Sequence, residues 1–119
     1  MQNFMDLQVW EKSHLLAVDI YSLTKSFPKE ELYGLTSQIR RSAYSIPANI
    51  AEGCGRNSKA DFARFLSISF GSACELEYFL ILVKDLNFIN ENDYQKINQS
   101  VIEVKRMLSS FIKKLKTDH

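Results

Sequence analysis

The sequence predicts an all-α fold, a single domain over residues 1–119 built as an antiparallel up-down four-helix bundle. Three observations predict it. With 4 glycines and 2 prolines, the chain has too few turn formers for a many-stranded sandwich or barrel. Apolar residues recur at steps of three and four in four separate stretches, the spacing that gathers them on one face of a helix. Connectors of about four to six residues separate the stretches, and connectors that short make consecutive helices antiparallel neighbours. A chain of this length buries roughly two thirds of its surface on folding, enough for a core without metal or disulfide staples.

Val9, Leu16, Ile20, Leu23 and Phe27 define the first helix, with Asp6 placed to cap its first amides and Pro28 ending it. A turn at Lys29 to Glu31 leads to the second helix, whose seam is Leu32, Leu35, Ile39, Ala43, Ile46 and Ile50, ending at Gly53. Pro47 falls inside this pattern, where it removes a backbone donor and crowds the preceding turn at a cost of about 3 kcal/mol. A kink near Ser45 to Pro47 is therefore expected. Cys54 to Ser58 form a polar connector, and Ser58 with Asp61 three residues on reads as a capping pair for the third helix.

The third helix carries Phe62, Leu66, Ser69, Ala73, Leu76, Leu80 and Val83 as its seam. Beside the seam lie further apolar residues, so the apolar arc is wider than the single stripe a surface helix needs. Surplus apolar area of this kind marks an association surface. The candidates for it are Phe65, Ile68, Phe70, Phe79 and Leu82, and the small run Gly71-Ser72-Ala73 lets a second backbone approach. The alternative is that this helix is the central, most buried one of the bundle. The pattern breaks around Asn87 to Asn92 and resumes with Tyr94, Ile97, Val101, Val104, Leu108, Phe111 and Leu115, a fourth helix running out into residues 116–119.

Residues able to carry chemistry are sparse. The chain has two histidines, one of them terminal, and Glu11-x-x-His14 supplies only one of the two Glu-x-x-His pairs that a di-iron bundle uses. Glu75 and Glu77, two positions apart, point to different helix faces. No serine sits in a strand-to-helix elbow, and His14 alone does not define a triad. The expectation is a non-enzymatic protein with no metal and no cofactor. Cys54 and Cys74 lack C-x-x-C spacing and read as small buried hydrophobes in a reducing compartment. Met1 to Trp10 lacks the features of a signal peptide, and the longest apolar run, Tyr78 to Val83, is six residues. A bilayer span needs about 20, so the expected location is the cytoplasm, without membrane contact.

The formal charge is +1, which gives no bulk argument for a polyanion partner. Its distribution is uneven. Residues 1–35, 36–64, 65–100 and 101–119 carry net charges of −2, +3, −3 and +3. The first positive segment contains Arg40, Arg41, Arg56, Lys59 and Arg64, and the second contains Lys105, Arg106, Lys113, Lys114 and Lys116. Arginine binds phosphate bidentately, and a symmetric oligomer would multiply a modest patch. Gly53-x-Gly55-Arg56 before a helix start lacks the strand and the Gly-Lys-Ser/Thr ending of a nucleotide loop. It reads as a helix end and a turn, with anion capture by Arg56 and Lys59 as the other possibility. The other reading of the basic residues is solvated helix faces, with Arg40 or Arg41 paired to an acid such as Glu52 or Glu75.

Phe27-Pro28, Glu31, Tyr33-Gly34-Leu35, Gln38 to Ser42, Ser45-Ile46-Pro47 and Asn49 to Gly53 follow one another in a distinctive order. With Asp6-Leu7 and Val9-Trp10 before them, and Arg56, Phe65-Leu66, Gly71-Ser72 and Glu75-Leu76-Glu77 after, they resemble the four-helix-bundle family named for 23S rRNA intervening-sequence proteins. The resemblance covers roughly residues 4–90. It implies a bacterial cytoplasmic bundle that assembles as a homo-oligomeric ring, a pentamer. Some relatives are encoded in segments inserted in 23S rRNA genes. A related branch, the accessory proteins of diversity-generating retroelements, binds nucleic acid and a reverse transcriptase through a basic barrel surface. The near-neutral charge of this chain departs from that branch. The expectation is an oligomeric bundle that binds RNA or DNA through phosphate contacts at Arg40, Arg41, Arg56, Lys59 and Arg64. The alternative is a protein-interaction or scaffold ring with no nucleic-acid role.

Overall fold

The computed structural model describes residues 2–117. Four helices account for most of them: α1 (Gln8–Thr24), α2 (Leu35–Cys54), α3 (Lys59–Asp85) and α4 (Glu91–Thr117). Single 3-10 turns at Phe4–Asp6 and Lys29–Glu31 precede α1 and α2, and the described residues contain no strand. Helix α2 packs on α1 and α3, and α4 packs on α3 and α1. The pairs α1 with α3 and α2 with α4 are therefore diagonal, as in a square four-helix bundle. The body measures 47 × 24 × 20 Å, so its long axis is little more than one 27-residue helix, about 40 Å at 1.5 Å per residue.

The seams meet at the centre. Leu16, Ile20, Ile39, Ile46, Ile50, Leu66, Leu76, Leu80, Val83, Val101, Val104 and Leu108 are fully enclosed. Each such side chain contributes about 1.5–3 kcal/mol relative to exposure. Phe62 and Phe111 close one end edge to face at 5.3 Å, and Phe27 and Phe88 close the other at 5.5 Å.

The helix ends differ from the periodic reading in several places. Asp6 does not cap α1: it lies in the first 3-10 turn, where Asn3 Oδ1 accepts from the Met5 amide at 3.0 Å, and the N-cap of α1 is Leu7. Helix α1 stops at Thr24, three residues before Phe27, and the Thr24 hydroxyl donates back to the Ile20 carbonyl at 2.8 Å. Leu32 is not in the α2 seam. It lies before the helix, exposed, because the turn at Lys29–Glu31 and the non-helical Gly34 (φ −115°, ψ −108°) set the start of α2 at Leu35. Glu31 Oε1 there accepts from the Leu35 amide at 3.3 Å.

Helix α2 runs as one element through Pro47, and side-chain donors reach carbonyls next to it: Asn49 Nδ2 to Ser45 O at 2.8 Å and Ser69 Oγ to Ile46 O at 2.9 Å. It ends at Cys54, one residue past Gly53. A Cβ at Gly53 would lie 2.9 Å from the Phe62 ring and 2.9 Å from the Phe65 Cβ, so glycine is what permits α3 to approach this closely. Ser58 caps α3 as expected, its hydroxyl accepting from the Asp61 amide at 3.1 Å.

At the far end, Asn87 adopts φ 64°. Its amide donates to Lys84 O at 3.0 Å and that of Phe88 to Val83 O at 2.9 Å, the two bonds of a Schellman stop. Asn90 Oδ1 then caps α4 by accepting from the Asp93 amide at 2.7 Å. By length and mean composition α3 would suffice to cross a membrane. In the bundle its seam is core, and what remains apolar on its outside is the surplus noted from the sequence.

Candidate functional site

The five basic residues singled out in the sequence occupy two separate places. Arg56, Lys59 and Arg64 gather at the α2–α3 corner, whereas Arg40 and Arg41 lie on α2 some sixteen residues earlier, roughly 24 Å along the axis. At the corner the carboxylates intervene. Asp61 takes Arg64 Nε at 2.9 Å and stands 3.8 Å from Arg56 Nε, while Glu52 Oε1 takes Arg56 Nη2 at 3.0 Å. Both guanidinium groups also lie over the Phe65 ring, each 4.5 Å from its centroid. Phe65, expected at an oligomer interface, is thereby 7% exposed. An open depression of about 540 Å³ lined by Gly55, Arg56, Asn57, Ser58, Asp61 and Arg64 sits at the start of α3. Asp61 among its walls opposes an anion there.

Arg40 pairs with neither acid proposed for it. Its Nε donates to Thr24 Oγ1 at 2.9 Å and its guanidinium stacks on Tyr21 at 4.7 Å, fastening α2 to α1. Glu75 instead accepts from the Ser42 hydroxyl, tying α3 to α2. Arg41 is exposed. In the second basic segment, Lys105 Nζ meets Glu77 Oε1 at 2.7 Å on the α3–α4 face. That hydrogen bond holds the Lys105 ammonium above its ordinary pKa of 10.5, outweighing its partial burial.

Of the other interface candidates, Ile68 is exposed, and Phe70, Phe79 and Leu82 are half-buried. Phe79 lies 5.9 Å from the exposed Tyr78, and Phe70 lies under Lys105 at 5.7 Å. The outward stripe of α3 thus carries Ile68, Tyr78 and Ile81. A second apolar face was not singled out from the sequence. Leu15, Val18 and Tyr21 stand about half exposed along α1, and Val18 and Tyr21 with Tyr44 and Pro47 of α2 flank a groove of about 570 Å³. The three-residue spacing of Leu15, Val18 and Tyr21, off the buried seam, is the signal that would have found it.

His14 stacks flat on Trp10, centroids 5.0 Å apart and planes 4° from parallel. The described residues contain no group of three or more His, Cys, Asp or Glu side chains able to hold a metal ion. Cys54 is buried, which raises its thiol pKa above 9.0, and Cys74 is half-buried.

The helix order, the capped α2–α3 corner with its arginines and the glycine-permitted contact at Gly53 define a class of small helical bundle. The family described as 23S rRNA-intervening sequence protein matches residues 5–110, and the chain belongs to it. Among solved structures, a protein of unknown function from the S23 ribosomal protein family of Bacteroides thetaiotaomicron superposes with a TM-score of 0.83 at 37% identity. The match covers 88% of this chain and 98% of that one. No curated protein matches significantly.

Proposed function

We propose that this chain is a non-enzymatic cytoplasmic module whose task is assembly: copies associate through apolar helix faces into a closed ring, a pentamer, which serves as the scaffold on which partners act. The observation that carries this reading is the placement of Leu15, Val18 and Tyr21 on α1 and of Ile68, Tyr78 and Ile81 on α3. These helices are diagonal in the bundle, so neither face can cover the other within one chain. Large apolar side chains left in water on two sides of so small a protein favour association by about 25 cal/mol for each Å² covered. In this reading the bend expected at Pro47 shapes the wall of the α1–α2 groove that Pro47 lines. Multi-angle light scattering tests it: the expected mass is a multiple of 13.8 kDa, and a monomer mass at tens of micromolar overturns the reading.

A second reading, phosphate binding of RNA or DNA, is favoured by the grouping of Arg56, Lys59 and Arg64 beside the first turn of α3. Asp61 and Glu52 already engage two of these cations, which weakens the patch. The resemblance to the retroelement branch implies a reverse transcriptase as the protein partner in this reading. Fluorescence anisotropy against structured RNA at low and physiological salt separates the readings. Phosphate binding gives an affinity that falls steeply with salt and is lost on Arg56→Ala with Arg64→Ala. No binding at low salt removes the nucleic-acid reading.

A further inference from the structure

We propose that the groove between α1 and α4 is a binding site for a free basic amino acid, a small molecule that carries one carboxylate and two cationic groups. The site is built from α1 and α4, away from the α3 stripe, and does not depend on the assembly reading.

The register of the two helices shows what is unusual here. Lys12 Nζ meets Glu103 Oε1 at 2.8 Å, which fixes how α1 and α4 face each other. Seven residues on in α1 and seven back in α4, about 10 Å along the axis, stand Asp19 and Lys96, the same pair with its signs exchanged. The register calls for a second ion pair, and none forms. These helices are the most loosely packed neighbours of the bundle. Together with the small side chains of Ser22, Ser26 and Ser100, that looseness leaves a groove of about 520 Å³ at this level. The volume falls in the range of small-molecule sites, about 300–1,000 Å³, which bundles place between helices.

Three charges line the groove: Asp19 from α1, and Asp93 and Lys96 from α4. Among the described residues, none of the three side chains has a hydrogen-bond or ion-pair partner, although Asp93 and Lys96 are three apart on one helix. Two carboxylates and one ammonium are the inverse of two cations and one carboxylate, the charge set of free lysine, ornithine or arginine. Half-buried Leu23 and buried Ile97 give the aliphatic chain an apolar strip to lie on, and the serine hydroxyls flank it. Other charge sets fit less well. A diamine would bring a cation against Lys96 with no carboxylate to match it, and an acidic amino acid would set a second carboxylate against Asp19 or Asp93.

Calorimetric titration of the protein with L-lysine and L-arginine, joined to amide NMR shifts, tests this. One or both ligands are expected to saturate, moving the amides of Ser22, Asp93 and Lys96 and leaving those of Arg56 and Arg64 in place. Cadaverine, which lacks the carboxylate, and Nα-acetyl-L-lysine, which mimics the C-terminal lysine of a peptide, should each bind about tenfold more weakly for the loss of one charged contact. L-glutamate should not saturate. Asp19→Asn should weaken lysine binding by about the same factor, and Lys96→Met should abolish the preference for lysine over cadaverine. Both substitutions are at exposed positions, and circular dichroism checks that the fold is kept, with Asp93→Asn as a further variant. No saturation by either amino acid at millimolar concentration, equal binding of cadaverine, or unchanged affinity in the folded variants overturns the proposal. Equal binding of Nα-acetyl-L-lysine overturns it in favour of a peptide C-terminus.

Discussion

Gly53 illustrates how one residue positions two helices. A methyl group there meets the Phe62 ring and the Phe65 Cβ at 2.9 Å, and Phe65 is held from outside by two stacked guanidinium groups. Gly53→Ala gains intrinsic helix propensity of roughly 1 kcal/mol, but overpacking of this kind costs about 1–3 kcal/mol. A net loss of stability in urea unfolding is expected, accompanied by altered packing of Phe62. Lys105 makes a prediction in pH. Its folded pKa is raised by the hydrogen bond to Glu77, so the pair's contribution is fully present below the unfolded value of 10.5 and is lost as pH rises through the folded value. The stability difference between wild type and Lys105→Met should be flat from pH 7 to 9 and shrink above pH 10.5, as followed by urea melts at each pH. The arginines show what counting charge misses. Asp61 is three residues before Arg64 on α3, a spacing that places opposite charges side by side on a helix, so that pair was legible in the sequence, whereas the Glu52–Arg56 pair spans the end of α2 and was not. That both guanidinium groups would share the Phe65 ring was not, because it depends on how the corner folds back.

At the scale of the element, the seams were readable and the ends were not. Ile39, Ala43, Ile46 and Ile50, and then Leu66, Ser69, Ala73, Leu76, Leu80 and Val83, are buried where the three-and-four spacing put them. Periodicity carried on past the ends, to Phe27 and back to Leu32: Phe27 satisfies the spacing from a turn while packing on Phe88, and Leu32 satisfies it while standing exposed. The stop of α3 rests on the left-handed Asn87, a conformation that costs other L-residues about 1–2 kcal/mol. Asn87→Gly should leave thermal stability unchanged or slightly higher, and Asn87→Val should lower it by about that amount, both read from melting curves. Along α3 itself, the two faces should respond differently. Leu76→Ala, in the fully enclosed seam, is expected to cost about 2–5 kcal/mol in chemical unfolding. Ile68→Ala, exposed on the stripe, should change the stability of the isolated bundle by no more than about 0.5 kcal/mol and weaken self-association instead.

For the whole molecule, the wide apolar arc of the third helix was legible in the sequence, and the bundle turns it into an outward stripe. The α1–α2 groove was not legible, since it is made by residues of α1 and α2 that only the packing of those two helices brings side by side. The bundle provides no internal cover for either face, and the corner arginines that might have served a polyanion are largely engaged with Glu52, Asp61 and Phe65. Association is the function proposed for these surfaces. The most direct test is hydroxyl-radical footprinting of the tyrosines in the wild-type protein. In one copy Tyr33, Tyr78, Tyr44 and Tyr21 are 93%, 58%, 48% and 42% exposed. Assembly predicts that Tyr78, Tyr44 and Tyr21 are protected well below those proportions while Tyr33 reacts freely as the internal reference. Labelling of all four in proportion to their exposure in the single chain would contradict it.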